Sequence, residues 1–314
     1  MIINYKRLND NTLRNIYKLP NKDELVNCIQ KATWFSKFDC KSGFWQIKLD
    51  EESIPWTAFS CSEGHFEWLV MPFGLKNAPQ VFQARMDRIF KKISNFCIVY
   101  IDDILVFSNN RYVHTSHVHK ILDLCKENNI ILSKKKIELF KNKIDFLGLK
   151  IDKGKIELQP HITTKILSFP NKLEETKELQ KILGLLNYGR KFIPNLSTLV
   201  TPLYNKLSKN GQRYFNNEDV KLIQRIKEIV KNLGPIALPI DSYYKIIQTD
   251  ASSKGWAGIL IQKPTKGSPK DLEEIAMYSS GKFSEPESRK SSTELELLGI
   301  INTLNNFHIY IYTE

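Results

Sequence analysis

The sequence has little that would tie it to a membrane or to an oxidising compartment. No apolar run among its 314 residues approaches the ~18–20 that a spanning helix needs. The most apolar stretch, Phe96 to Phe107, is broken by Asp102 and Asp103. The opening residues, Met1 to Arg7, contain no apolar signal core. Cysteine is scarce. Cys28, Cys40, Cys61, Cys97 and Cys125 are odd in number, scattered, and include no Cys-x-x-Cys pair. That excludes a disulfide scaffold, argues against a zinc module and points to a reducing, intracellular setting. Internal repeats and long low-complexity segments are absent as well.

What is present is an ordinary globular balance, 42% hydrophobic and 25% charged, at a length that suggests two domains. The charge is less ordinary. A formal net charge of +12 calls for a polyanionic partner, either nucleic acid or an anionic surface. It is unevenly spread: residues 1–110 carry +2, residues 111–235 carry +12 and residues 236–314 carry −2.

Hydrophobic patterning divides the chain into a mixed α/β unit, a helical unit and the start of a second α/β unit. Asn21 caps a helix with apolar Leu25, Cys28, Ile29 and Ala32. Trp34 to Asp39 reads as a strand, and the alternation of Trp45, Ile47 and Leu49 with Gln46, Lys48 and Asp50 reads as another. Trp56–Cys61 and Phe66–Val70 flank a hairpin turn at Ser62-Glu63-Gly64. Pro79 opens a helix. Phe96–Ile101 and Ile104–Phe107 form a second hairpin around Asp102-Asp103, and a helix follows with Val118, Ile121, Leu122 and Cys125 on one face. Ile144 to Ile151 is a short strand. From 160 to 232 the pattern is helical, with stripes at Leu179, Ile182, Leu183, Leu186 and at Val220, Ile223, Ile226, Val230. Gly234-Pro235 and Pro239 mark a linker. Strands return at Tyr244–Thr249, Trp256–Ile261 and Ile275–Ser279, before a helix from Ser292 to Phe307.

Asp is a common turn residue, so Asp102-Asp103 at a hairpin tip is unremarkable by type alone. Two adjacent anions nevertheless repel unless a cation neutralises them. If the strand ending in Asp39 lies beside the hairpin, three carboxylates converge. Such oxygen donors suit Mg²⁺, which keeps waters and substrate phosphates in its shell. Two such ions can clamp the attacking and leaving oxygens of phosphoryl transfer.

Three segments make the pattern specific: Phe38-Asp39-Cys40-Lys41-Ser42-Gly43-Phe44-Trp45-Gln46-Ile47, Met71-Pro72-Phe73-Gly74-Leu75-Lys76-Asn77-Ala78-Pro79 and Tyr100-Ile101-Asp102-Asp103-Ile104-Leu105-Val106-Phe107-Ser108. In order and spacing they resemble successive motifs of reverse transcriptases. The wording is closest to plant pararetroviruses of the caulimovirus group, with gypsy-type LTR retrotransposons next. The resemblance implies a right-hand polymerase of α/β (α+β) class: partial fingers and palm over 1–155, a helical thumb or connection over 156–235, and an incomplete ribonuclease H-like domain over 236–314.

It also implies roles. Asp39, Asp102 and Asp103 become metal-binding carboxylates, with the main-chain carbonyl of Cys40 beside them. Phe44 becomes the gate that excludes a ribose 2′-hydroxyl. Gln46, Phe73 and Gly74 line the nucleotide pocket, and Lys136, in the run Lys134 to Lys136, lies where the family places a lysine near the triphosphate. Tyr100 and Pro79 face primer and template, and Leu147-Gly148 resembles the primer-grip hairpin. In the tail, Ile246 to Ser252 resembles the first strand of ribonuclease H, making Asp250 its first acid. Glu296 is the better match for the second, with Glu294 as fallback. His114, His117 and His119 sit at a polar helix entry and are not expected to bind metal.

The implied cofactors are two Mg²⁺ ions at the polymerase site, with Mn²⁺ as a substitute. The implied partners are an RNA or DNA template-primer, an RNA–DNA hybrid and deoxynucleoside triphosphates, with no membrane. The setting would be intracellular: cytoplasmic or particle-associated for a virus, or encoded by an element integrated in a plant genome. The family's upstream basic residues and its later ribonuclease H acid, due shortly after Thr313, are not in the sequence. The resemblance therefore reads as truncated at both ends, with doubtful ribonuclease H activity. The competing expectation is a non-catalytic nucleic-acid-binding remnant.

Overall fold

The computed structural model describes residues 3–173, 175–208 and 214–311. It separates into two compact units, residues 1–144 and 145–314.

In the first unit, α1 (Lys6–Asn11) and α2 (Lys22–Asn27) precede β1 (Trp34–Asp39). Asn21 caps α2 by accepting from the Asp23 amide, but the helix stops at Asn27 rather than running on to Ala32. The short hairpin β2 (Phe59–Cys61) and β3 (Gly64–Phe66) leads to α3 (Ala78–Phe90), whose second residue is Pro79, where its missing N–H costs nothing. Then come β4 (Cys97–Tyr100), β5 (Asp103–Ser108), α4 (Arg111–Glu127) and β6 (Glu138–Lys141). The sheet order is β4-β5-β1-β6. Its strands read as apolar runs because β5 is buried along nearly its whole length. Phe82, Met86 and Phe90 of α3 and Val118, Ile121 and Cys125 of α4 pack with sheet residues such as Phe38, Val99, Ile104 and Val106 in one core. Leu122, expected on that face, is exposed.

The predicted strand at Trp45–Asp50 does not form. Ser42 takes a left-handed conformation and residues Gly43–Gln46 wind into a 3₁₀ turn. The rings then pack among themselves in tilted and edge-on contacts: Phe44 with Phe73 and Phe82, Trp45 with Trp68 and Phe73. Only Lys48 makes a ladder-like bridge, to Val70.

The second unit begins with the sheet β7 (Lys143–Phe146), β8 (Leu149–Asp152) and β9 (Lys155–Leu158). The single strand read at Ile144–Ile151 is thus a hairpin, because Leu147 and Gly148 both take positive φ at its turn. Helices α5 (Pro160–Ser168), α6 (Thr176–Tyr188), α7 (Leu196–Leu207) and α8 (Asn217–Lys231) share a core that contains both predicted stripes except the half-buried Val220. The predicted linker contains β10 (Ile236–Ala237), which pairs with β9. The Leu238 amide bonds the Gly154 carbonyl at 2.8 Å. Residue 155, the expected end of the palm, therefore lies in a sheet ordered β10-β9-β8-β7. A second sheet follows, β11 (Tyr244–Ser252), β12 (Gly255–Lys263) and β13 (Glu274–Gly281), in that spatial order, then α9 (Glu285–Ser288) and α10 (Ser292–Ile311). Among the described residues no helix is long and apolar enough to cross a membrane.

Candidate active site

In the first unit the strands align the acids. β1 and β5 run antiparallel with Asp39 directly opposite Asp103, and β4 returns from β5 with Tyr100 opposite Asp103. Asp102 occupies the two-residue turn between β4 and β5. Its carbonyl accepts from the Cys40 amide at 2.9 Å, which locks the end of β1 to that turn.

The three carboxylates sit in different surroundings. Asp39 Oδ2 pairs with Lys136 Nζ at 3.0 Å and Asp103 Oδ1 with Lys37 Nζ at 3.4 Å. Asp102 Oδ1 is buried without a hydrogen-bond partner. Burial, then the negative charges of Asp39 and Asp103, push the Asp102 carboxyl up to about 6, while Lys136 pulls the other way. Asp39 in turn holds the Lys136 ammonium proton more tightly than usual. Gly43 makes the cradle: a Cβ there would lie 2.0 Å from Asp102 Oδ1 and 2.9 Å from Phe82 Cζ. A buried, unpartnered, repelled carboxylate oxygen beside two further carboxylates is a donor set that suits a hard divalent cation. Among the described residues no group of three or more His, Cys, Asp or Glu side chains is placed to hold a metal ion. Mg²⁺ sites in phosphoryl transfer take few protein ligands and complete the shell with phosphates and water.

Phe44 packs edge-on to Phe82 and tilted to the half-exposed Phe73, at centroid distances of 5.7 and 5.2 Å. Gly74 needs its φ of 96°, and its carbonyl is held by Asn9 Nδ2 at 2.8 Å. Gln46 behaves differently from expectation: its amide is spent on main chain. Nε2 donates to the Lys41 and Ile131 carbonyls, and Oε1 accepts from the Ile131 amide. Cys40 is buried, and burial together with Asp102 raises its thiol far above the usual range, leaving it unreactive. Lys134 and Lys135 are exposed.

Sequence reasoning missed Gln83. It is fully buried; Nε2 donates to the Val99 carbonyl at 3.0 Å and Oε1 accepts from the Ile101 amide at 2.6 Å. Ile101 has φ 53°, which costs a β-branched residue about 1–2 kcal/mol, so the turn needs such a clamp. A polar side chain on the apolar face of α3, three residues before Met86, was the available signal. His119 is exposed, as a polar helix entry implies, but His114 is not. His114 is fully buried, bonded to Ser36 and Ser108 at 2.8 Å each, with His117 on the same Ser108 hydroxyl.

In the second unit, the Leu147-Gly148 turn is pinned by α6. The Tyr188 hydroxyl donates to the Leu147 carbonyl, and a Cβ on Gly148 would lie 1.6 Å from that hydroxyl oxygen. Asp250 lies on β11 and Glu296 in the first turns of α10, both exposed. Gly299 lets α10 settle on β11, with a Cβ position 3.0 Å from Ala251 Cβ and 3.9 Å from the Asp250 carbonyl. Glu294 is occupied: its Oε2 accepts from the Ser291 amide and hydroxyl, which holds its carboxyl below the usual range. Glu296 has no such duty.

The family model for reverse transcriptase (RNA-dependent DNA polymerase) matches residues 1–151, and the model for the RNase H-like domain found in reverse transcriptase matches residues 215–314. The enzymatic polyprotein of cauliflower mosaic virus (strain Strasbourg) is 47% identical over 312 residues, covering 99% of this chain and 46% of the viral protein. Polyprotein P3 of Commelina yellow mottle virus is 43% identical over 311 residues, 99% of this chain and 16% of that protein. The chain thus spans less than half the length of these curated relatives. A solved foamy viral protease-reverse transcriptase in complex with dsDNA superposes with a TM-score of 0.86 at 23% identity, covering 99% of this chain and 64% of that one. Another, in complex with an RNA/DNA hybrid, gives 0.83 at 23%, covering 98% and 41%. At that identity the likeness establishes a shared fold. On these matches, and on the paired ends of β1 and β5 that its motifs build, the chain belongs to the reverse transcriptase family, in the form that carries an RNase H-like domain.

Proposed function

We propose that this chain is an RNA-directed DNA polymerase that extends a primer on an RNA or DNA template with deoxynucleoside triphosphates. The carrying observation is the register that sets Asp39 opposite Asp103 with the buried, unpartnered Asp102 oxygen beside them. Asp39, Asp102, Asp103 and the Cys40 carbonyl would hold the divalent ions, Mg²⁺ or Mn²⁺. When bound, these lower the pKa of the primer 3′-hydroxyl and neutralise the triphosphate and its pyrophosphate.

The chain's own groups do the rest. Phe44, backed by Phe82, offers a flat ring that excludes a 2′-hydroxyl. Phe73 and Gly74 line the nucleotide pocket, and Gln46 shapes it through its main-chain bonds. Lys136, released from Asp39, contacts the triphosphate and protonates the leaving pyrophosphate. Pro79 and Tyr100 contact template and primer, and Leu147 and Gly148 contact the primer terminus. The +12 carried by residues 111–235 grips the phosphate backbone. The domains are fingers and palm over 1–155, thumb over 156–235 and the ribonuclease H-like part over 236–314. In that last part Asp250 and Glu296 are the metal-binding pair.

Primer extension with Mg²⁺ tests the proposal. Asp102→Asn and Asp103→Asn lower the rate at least ~10²-fold while the variants stay folded. Undiminished synthesis would refute it. Salt-sensitive binding of a hybrid with no extension by the parent chain would favour a nucleic-acid-binding remnant instead.

A further inference from the structure

The clamp on the catalytic turn does not end at Gln83. Its Nε2 carries two protons. One goes to the Val99 carbonyl and the other to Asp87 Oδ1 at 2.8 Å, four residues along α3. The second Asp87 oxygen, Oδ2, accepts from the hydroxyl of Tyr17, in the segment before α2 and 70 positions away in the chain. Each link has only one possible sense. A carboxylate only accepts, so it must face the NH₂ end of the Gln83 amide and a donating phenol. That leaves Oε1 to accept from the Ile101 amide. With the amide reversed, an NH₂ group would face the Ile101 N–H and an oxygen would face a carboxylate. The Val99 carbonyl, the Ile101 amide and Asp87 therefore all require the same Gln83 amide orientation; Asp87 is the side-chain anchor that holds the amide there, and Tyr17 holds Asp87.

We propose that Tyr17 and Asp87 are positioning residues for the polymerase site: through Gln83 they hold the left-handed Ile101 turn that presents Asp102. The inference rests on the reading of Asp102 as a site carboxylate. The Asp87 bond also pushes the Tyr17 hydroxyl up to about 12, so it remains a donor across any working pH. Neither residue contacts the carboxylates, which separates this role from catalysis itself.

The test uses the whole chain with Tyr17→Phe, Asp87→Leu and the double variant. In steady-state primer extension, Tyr17→Phe lowers kcat about 3–10-fold and Asp87→Leu about 10–100-fold. KM for the nucleotide and affinity for template-primer stay within about two-fold. The double variant is no slower than Asp87→Leu, because Tyr17 acts only through Asp87. Amide hydrogen exchange gives a readout that needs no activity. The Ile101 N–H loses protection in both single variants, while Ile104 and Val106 in β5 keep theirs. Unchanged kcat in Tyr17→Phe, additive losses in the double variant, or unchanged Ile101 protection would each overturn the proposal. A parent chain that extends no primer would sink the polymerase reading instead, and the exchange experiment would still decide the tether.

Discussion

The two acidic sites of this chain are built on opposite plans. In the first unit three carboxylates are forced together by main-chain pairing: Asp39 opposite Asp103, with Asp102 in a left-handed turn clamped by Gln83. One oxygen ends buried and unpartnered. In the second unit Asp250 and Glu296 lie on a strand and a helix, both exposed, with the helix held to the strand by the close approach at Gly299 and by apolar packing of Leu295 and Phe307 in clusters that include Ala251 and Ile247. The first site stores repulsion that a cation would relieve; the second stores little. The difference has a price in stability, since an uncompensated buried charge opposes folding.

The largest effect should come from filling the cradle. In Gly43→Ala the new methyl meets Asp102 Oδ1 at 2.0 Å and the Phe82 ring at 2.9 Å. Either the carboxylate or the 3₁₀ turn must move. Primer extension should fall at least ~10²-fold and stability by about 1–3 kcal/mol. Gly299→Ala is the counterpart. Its nearest neighbour, Ala251 Cβ at 3.0 Å, can give by a few tenths of an ångström, so its cost should be smaller. Thermal melting of both variants checks this. Equal losses would erase the contrast between a packed and an open site.

A second, smaller effect concerns charge. The Asp102 carboxyl, ordinarily near 3.8, is pushed up to about 6 in the folded chain. The unfolded chain therefore ionises more readily. The contribution of Asp102 to stability is fully present below about pH 4 and is lost as pH rises through 6. Asp102→Asn, neutral at every pH, should match the parent near pH 4 and exceed it above pH 6, by about 1–2 kcal/mol after solvent screening. Asp250→Asn, on the exposed site, should stay within about 0.5 kcal/mol throughout. Melting curves from pH 4 to 8 without divalent cations decide. A destabilised Asp102→Asn at pH 8 would show that the repulsion is relieved inside the protein.

The sequence carried the scaffold of the first site better than its tuning. Strand β1 has the bounds its alternation suggested, α3 starts around Pro79, and the hairpin turn falls at Ile101-Asp102, one residue before the expected Asp102-Asp103, because these follow local patterning and turn chemistry. The register that opposes Asp39 to Asp103 is a choice between strands 64 positions apart, which no local pattern contains. The Gly43 cradle and the Gln83 clamp are tertiary in the same sense. Where local pattern misled, side-chain packing won. The alternation at Trp45–Asp50 gave way to a 3₁₀ turn over Gly43–Gln46, where Phe44 and Trp45 pack tilted and edge-on against Phe73, Phe82 and Trp68. The proline-marked linker near 235 became β10 because Ile236, Ala237 and Leu238 are buried beside β9. In the second unit, patterning alone left Glu294 and Glu296 to compete. In the structure Glu294 accepts capping bonds from Ser291, while Glu296 is exposed.

The smallest effect is the most discriminating. Lys136 meets Asp39 at 3.0 Å, but its side chain is 66% exposed, so the pair should add less than ~0.5 kcal/mol to stability. Its charge matters in another way, because Lys136 is the cation that opposes the rise of the Asp102 carboxyl. Lys136→Gln should therefore leave the melting temperature within about 1 °C at pH 5. It should move the Asp102 titration, followed by carboxyl carbon NMR, further upward. Lys290→Gln is the control in the second unit. It breaks the exposed 3.6 Å pair with Glu294, where no buried acid waits to respond, and only the titrations of the exposed Glu294 and Glu287 should change. If Lys136→Gln instead melted several degrees lower with the Asp102 titration unmoved, the lysine would be a structural brace. The first site would then owe its raised carboxyl to burial and the neighbouring Asp39 and Asp103 charges, with no counterweight from Lys136.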